Sequence, residues 1–318
     1  MATMTAGTAI TTSQFIFALC QKGAEKVLRD ELQRAGFAPS FSAQGLVTAK
    51  APRSLGVDEL PRLAFARRVC LSLTQPTHKD IDVDAAVTER GAILQAETTG
   101  PQAKEGDPVV TVIERGAAPA VQRFVGLHVQ RSGLSPDPGG DPRLEVPANA
   151  PSRAWLKFEE AARLFDLHID PDDVVVEVGC SPGGMTRALL DRGAMVTGID
   201  PNAMDEGILQ SRARFRHLRC SAQAVDVLQL PGPVRLLVVD VNQRPNAAIS
   251  SIEAIAQRTR RDMRAVLFIL KLGDWSHAPE LPHWLNRISR LFAMPVMATQ
   301  LPSNRQELCV YASRLRPS

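Results

Sequence analysis

Across residues 152–318 the chain carries its positive charge almost entirely as arginine: nineteen arginines stand against two lysines, Lys157 and Lys271. The choice matters chemically. A protein can lower a lysine pKa until the ammonium gives up its proton, whereas a guanidinium stays charged. Lysines kept in an arginine-rich stretch are therefore candidates for proton transfer. Two carboxylates fall at matching places: Asp240 closes LLVVD and Glu307 opens ELCVYA, while Lys271 itself closes FILK. Lys157 lies in PSRAWLKFEEAARLF, where Ala161 and Leu164 follow at helical spacing and turn it inward. Singly, each of these charges reads as a cap or a rim residue. Two lysines and two acids gathered beside one pocket do not.

A second group of residues suggests what that pocket holds. GCSPGG, comprising Gly179, Cys180, Ser181, Pro182, Gly183 and Gly184, sits between a β-branched run and a helical segment. Glycines there let backbone approach a ligand closely, with a helix N-terminus just beyond. The motif is neither GxGxxG nor a P-loop ending in Gly-Lys-Ser/Thr, which disfavours dinucleotides and triphosphates. Asp200, at the end of the following strand, is placed like an acid that holds ribose hydroxyls.

The elements that must position these residues can be read from periodicity. VVVEV (174–178), MVTGID (195–200), RLLVVD (235–240) and AVLFIL (265–270) carry the apolar signature of buried parallel strands, and 295–300 and 308–313 would add a late pair. The expected fold is α/β, a doubly wound sheet with ligands at the carboxyl ends of its strands. Before it, residues 15–20, 45–49 and 109–113 read as strands and 23–35 and 60–67 as helices, giving a smaller α+β domain over 1–131. Residues 132–151 hold five prolines and three glycines and read as an extended linker, leaving 152–318 as the chemical domain.

Composition agrees with two folded domains. The chain has 318 residues, 44% hydrophobic and 22% charged, and no apolar run approaches the ~20 residues of a membrane span. Its N-terminus does not read as a secretory signal, and its five scattered cysteines suit reduced thiols, so the cytoplasm is the expected address. The histidines show no metal-site spacing, and no metal is expected. The whole +3 net charge lies in residues 152–318. Two arginine groups, Arg212, Arg214, Arg216 and Arg219 with His217, and Arg258, Arg260, Arg261 and Arg264, could contact phosphates or simply face solvent. With aromatics at 5%, contacts of these groups by shape and backbone fit better than stacking on aromatic platforms.

SPGG after a strand, with Lys157, Asp240, Lys271 and Glu307 in that order, resembles the FtsJ-like ribose 2′-O-methyltransferases. Within them, PRLEVPANAPSRAWLKFEEA is particularly similar to the bacterial 23S rRNA cytidine 2′-O-methyltransferases (RlmM type), and residues 14–75 carry looser echoes of their THUMP-containing N-terminal region. The resemblance implies a class I, Rossmann-like S-adenosylmethionine-dependent fold behind a THUMP-like RNA-docking domain. It also implies methyl transfer to a ribose 2′-hydroxyl, with 23S rRNA as the expected partner. Lys271 would be the general base, its pKa lowered by Lys157 and burial. Asp240 would orient it beside the cofactor, while Lys157 and Glu307 position the ribose. Where the family commonly has an acid on the adenine side, this chain offers Ser221, with Asp226 a few residues on. Two alternatives remain open: the same chemistry on tRNA or mRNA, or a noncatalytic RNA-binding protein of this fold.

Overall fold

Strand-forming runs in both halves of the chain pair into two seven-stranded sheets. A computed structural model describes residues 12–74, 81–117 and 119–314, so the N-terminal reading of residues 1–11 lies outside the described residues. The chain divides into two units, residues 1–142 and 143–318.

The first unit contains strands β1 (Thr12–Leu19), β2 (Ala38–Ala43), β3 (Leu46–Gly56), β4 (Arg68–Ser72), β5 (Ile93–Ala96), β6 (Pro108–Arg115) and β7 (Gln122–Val129). Their order is β2-β3-β1-β4-β7-β6-β5, antiparallel except for β5 beside β6. Helix α1 (Glu25–Arg34) buries Val27, Leu28 and Leu32, and α2 (Val83–Arg90) lies between β4 and β5. The helix expected over Leu60–Arg67 is absent. Pro61 removes a donor there. The Glu31 carboxylate accepts from the amides of Ala64 (2.7 Å) and Phe65 (3.0 Å), satisfying off-helix the groups a helix would have paired.

The proline- and glycine-rich stretch expected as a linker over 132–151 is not free along its length. Arg68, fully buried on β4, donates through Nη2 to the carbonyls of Ser135 and Asp137, both at 2.8 Å, and through Nη1 to Gln95 Oε1 and to His128 Nε2. Gln95 in turn donates to Pro136 O at 2.9 Å. Prolines exclude helix but not packing, and this segment is tied to the first sheet by side chains that accept or donate where strands cannot. Burial first, then the charges of Arg68 and Arg131, hold His128 neutral, with its pKa well below the usual imidazole value. A neutral ring can offer Nε2 to Arg68 as an acceptor.

The second unit begins its regular structure with α3 (Ala154–Phe165). It continues through β8 (Val174–Val178), α4 (Gly184–Asp191), β9 (Met195–Ile199), α5 (Glu206–Leu209), β10 (Phe215–Leu218) and β11 (Leu236–Val239). It ends with α6 (Pro245–Ser251), α7 (Glu253–Thr259), β12 (Ala265–Lys271), α8 (Leu281–Phe292), β13 (Val296–Thr299) and β14 (Glu307–Ser313). The order is β10-β9-β8-β11-β12-β14-β13. All neighbours are parallel up to β12, and β14 runs antiparallel between β12 and β13. The doubly wound expectation and the late pair are both met. The order reverses between β8 and β11, and a crevice opens outside the carboxyl ends there.

Alternation decides which side chains meet. Leu236 and Val238 of β11, Ala265, Leu267 and Ile269 of β12, and Cys309 and Tyr311 of β14 join Phe158, Ala161 and Phe165 of α3 in one core. Val266 and Phe268, on the opposite face of β12, are equally buried, so these strands read as unbroken apolar runs. No helix among the described residues is long and apolar enough to cross a membrane. All five cysteines are free thiols.

Arg68→Met removes the donor from two backbone carbonyls while keeping much of the bulk. It should destabilise the first unit by about 3 kcal/mol, since each stranded buried acceptor costs roughly 1–3 kcal/mol. Thermal melting and limited trypsin digestion check this. A melting temperature unaltered from wild type, with no faster cleavage at Arg131 or Arg143, would contradict the clamp.

Candidate active site

Period-two alternation carries past the core to the strand ends. Asp240 lies two residues beyond Val238, Lys271 two beyond Ile269, and Glu307 two before Cys309, so all three sit in line with side chains that face α3. Lys271 and Glu307 are directly paired across β12 and β14. On α3, Lys157 lies one residue before Phe158 and one turn before Ala161, both in that core.

The four charges form a ring. Lys157 Nζ lies 3.1 Å from Asp240 Oδ2 and 2.8 Å from Glu307 Oε2; Lys271 Nζ lies 3.0 Å from Asp240 Oδ1 and 3.8 Å from Glu307 Oε1. Side-chain exposure separates the lysines, at 14% for Lys157 and 24% for Lys271. Lys271 also lines the adjoining cleft, as does Asp240. Burial alone would press Lys157 toward neutrality, but Asp240 and Glu307 together outweigh it and lift its pKa above the ordinary lysine value. Lys157 is held as an ammonium.

The cleft beside the ring has a volume of about 330 Å³. Gly179, Cys180, Ser181 and Gly184 line it, with Asp200 and Ser221; Pro182 and Gly183 do not. The glycines of the loop therefore serve different ends. Gly179 has φ +84°, and a Cβ there would sit 2.5 Å from Asp240 O, so glycine lets the loop close against the end of β11. Gly183, φ +122°, would drive a Cβ to 2.7 Å from Ile208 Cγ1, inside the protein rather than toward a ligand. Gly183 is a packing position. Asp200 accepts from the amides of Ser181 (3.2 Å) and Asn202 (2.8 Å), which fixes its carboxylate at the cleft wall. Of the two residues considered for the adenine side, Ser221 lines the cleft, whereas Asp226 is exposed and caps the turn at Val227 by accepting from Leu228 N.

Three residues that were not singled out from the sequence complete the arrangement. Glu177, 2% exposed within β8, lines the cleft and accepts from Thr186 Oγ1 at 2.7 Å. Burial, opposed by that hydrogen bond and reinforced by Asp240 and Asp200, raises its pKa to about 8. An acid inside VVVEV was a visible signal, since lone carboxylates are rarely buried. Asn304, fully buried, donates to Glu307 Oε2 at 3.4 Å, and Glu160 accepts from the amide and hydroxyl of Ser303. Nothing in sequence spacing tied Glu160 to a loop 143 residues away.

A doubly wound sheet with a glycine-rich turn at its switch point and an acid ending the next strand is a Rossmann-like α/β unit, of the kind methyltransferases share. Residues 150–274 match the model of the FtsJ-like methyltransferase family, a stretch that contains SPGG, Lys157, Asp240 and Lys271, while Glu307 lies beyond it. The chain is 31% identical over 203 residues to the ribosomal RNA large subunit methyltransferase M of Pseudomonas putida KT2440, covering 60% of this chain and 55% of that protein. It is 33% identical over 194 residues to the protein of the same name from Tolumonas auensis, covering 56% and 50%. The chain thus spans about half the length of the curated relatives it matches. Solved structures align more loosely: a chain of a fibrillarin/Nop5p complex shares 13% identity at a TM-score of 0.39, covering 55% of this chain and 92% of that one.

The protonated state of Glu177 has a measurable consequence. Its folded pKa of about 8 exceeds the ordinary 4.5, so the unfolded chain releases the proton first and stability falls as pH rises between those values. Glu177→Gln keeps an acceptor for Thr186 and cannot ionise. The variant should melt several degrees above wild type at about pH 8, with the gap closing toward about pH 5. Calorimetric melting across this range checks it; a gap independent of pH would mean that Glu177 is ionised in the fold.

Proposed function

We propose that this chain is an S-adenosylmethionine-dependent RNA ribose 2′-O-methyltransferase whose substrate is 23S rRNA. One observation carries the reading: the ring of Lys157, Asp240, Lys271 and Glu307 lies beside a ligand-sized cleft at the carboxyl ends of the strands. A binding scaffold has no physical need for two lysines and two acids at such a place. Relatives named for methylation of large-subunit ribosomal RNA support that RNA over tRNA or mRNA.

The cleft residues suit the cofactor. About 330 Å³ falls within the range of small-molecule sites, and the buried Oε1 of Gln243, a cleft residue, has no hydrogen-bond partner among the described residues. Gly179, Cys180, Ser181 and Gly184 would hold it along the backbone, Asp200 at its ribose hydroxyls and Ser221 beside its adenine. When bound, the cofactor supplies a methyl group already activated by a positively charged sulfur.

The chain's own residues then deal with the poor nucleophile. Lys271 Nζ takes the proton from the 2′-hydroxyl, with Asp240, 3.0 Å away, orienting it. Lys157, kept charged by Asp240 and Glu307, is unsuited to accept a proton and serves with Glu307 to fix the ribose. The first unit is proposed as a THUMP-like RNA-docking domain over 1–131. The part of the 132–151 stretch beyond the Arg68 clamp would be the connection to the methyltransferase domain over 152–318. The cytoplasm is the proposed compartment.

Lys271→Arg preserves the charge and the pairing with Asp240 but removes the titratable nitrogen. Single-turnover methyl transfer to rRNA from a strain lacking this protein should fall at least ~100-fold. Cofactor affinity by calorimetry should stay within about twofold of wild type, a change worth well under 1 kcal/mol. Lys157→Arg should be milder. Substantial transfer by Lys271→Arg would leave Lys271 an electrostatic anchor, and an unchanged map of rRNA 2′-O-methyl sites in that strain would remove the assigned RNA.

A further inference from the structure

The second unit is rich in arginine, and its structure separates those bound to the protein from those left for a partner. Arg214 pairs with Asp172, Arg264 with Asp170 and Asp173, and Arg192 with Glu159. Arg216, Arg219 and Arg260 donate to the carbonyls of Gln229, Pro201 and Leu291. These guanidiniums hold the fold. The side chains of Arg153, Arg244 and Arg305 are exposed and have no hydrogen bond or ion pair among the described residues.

Their positions share one property. Arg153 precedes α3 and lies next to Ala154, a cleft residue, four residues before Lys157. Arg244 follows the cleft residue Gln243, four residues beyond Asp240. Arg305 lies two residues before Glu307, in the loop that Glu160 and Asn304 hold in place. Three segments distant in sequence thus each carry one free guanidinium to the carboxyl end of the sheet, each within a few residues of a ring member. The other free arginines of the two sequence clusters, Arg212, Arg258 and Arg261, precede β10 and β12 and belong to the amino end. The seven residues of β12 put roughly 20 Å between the two ends.

The ring itself gives a polyanion little to hold, because each of its two lysines lies against both of its carboxylates. We infer that Arg153, Arg244 and Arg305 form a phosphate cradle around the mouth of the site, gripping the RNA backbone on either side of the nucleotide that enters it. This rests on the proposed RNA substrate and names the residues that bind its backbone, as distinct from those that act on the ribose. Guanidinium groups suit the task through their planar, bidentate match to phosphate. Such contacts supply affinity and register without reading sequence.

The test uses the full chain and a fluorescein-labelled 20-nucleotide polyuridylate, with binding followed by anisotropy from low to moderate salt. Each phosphate contact on a single strand contributes about 0.7 to the slope of log affinity against log salt. The triple variant Arg153→Ala, Arg244→Ala, Arg305→Ala should therefore flatten the slope by about 2 and weaken binding at least ~10-fold at low salt. A control of equal charge, Arg212→Ala, Arg258→Ala, Arg261→Ala, should bind nearly as wild type. Thermal melting and cofactor calorimetry on both variants guard against misfolding. Equal flattening by both triples would reduce the effect to net charge and overturn the cradle, as would an unchanged slope in the first triple or no binding by wild type. The readout does not depend on methyl transfer. A chain inactive as a methyltransferase could still show the cradle, and an active one could lack it.

Discussion

The site depends on a limit of strand geometry: only every second side chain of a strand can face a given layer. β11, β12 and β14 each keep that alternation to their ends, and there each replaces an apolar side chain with a charged one on the α3 side. The sheet brings Asp240, Lys271 and Glu307 together, and α3 adds Lys157 from above. The outcome is an alternating ring of cation and anion in which every charge touches at least one opposite charge. Because all four side chains are largely shielded, none can be removed alone without leaving a partner uncompensated, which costs more than the pair contributes. The ring is thus a unit of folding as well as of chemistry. A one-residue slip of β14 against β12 would turn Glu307 away to the opposite face.

The cleft adds a second electrostatic condition. Glu177, Asp200 and Asp240 all line it. Three ionised carboxylates so close would repel one another, and burial falls hardest on Glu177, which keeps its proton at neutral pH and is bonded to Thr186. Asp200 stays fixed by amides from Ser181 and Asn202, and Asp240 by the two lysines. Each acid is thus settled differently, one by protonation, one by backbone donors and one by ion pairs. With Glu177 protonated, the cleft avoids a third like charge at its wall.

What could be read from the sequence follows from how strongly each residue's surroundings constrained it. The central strands β8, β9, β11 and β12 were legible to within a residue because burial on both faces demands continuous apolar runs. The tetrad was legible because lysine is conspicuous against arginine. β10, with FRHL, was not: a short edge strand with two polar side chains looks like loop. Leu60–Arg67 has helical apolar spacing, but Glu31, far away in sequence, captures its amides. Prolines in 132–151 announced irregular backbone correctly, yet could not show that Arg68 binds part of it. Within GCSPGG the sequence could not tell a glycine facing a ligand from one facing Ile208, because both need the same missing Cβ. Glu177 was visible and passed over, its significance depending on burial that a sequence only hints at.

The same logic explains why the free charges lie where they do. A strand buried on both faces has no room for an unpaired guanidinium, so uncommitted arginines lie outside the strands: Arg258 and Arg290 near the ends of α7 and α8, Arg153, Arg212, Arg244, Arg261 and Arg305 in turns at the two ends of the sheet. At the amino end many are taken up by acids and carbonyls of the fold, as with Arg214, Arg264 and Arg260. At the carboxyl end the nearby acids, Asp240 and Glu307, are already occupied by Lys157 and Lys271. Arginines in the flanking turns therefore find no carboxylate to neutralise them and remain exposed. The ring thus keeps its two acids for its two lysines, and the exposed guanidiniums of Arg153, Arg244 and Arg305 lie in the turns around it, the distribution on which the proposed cradle rests.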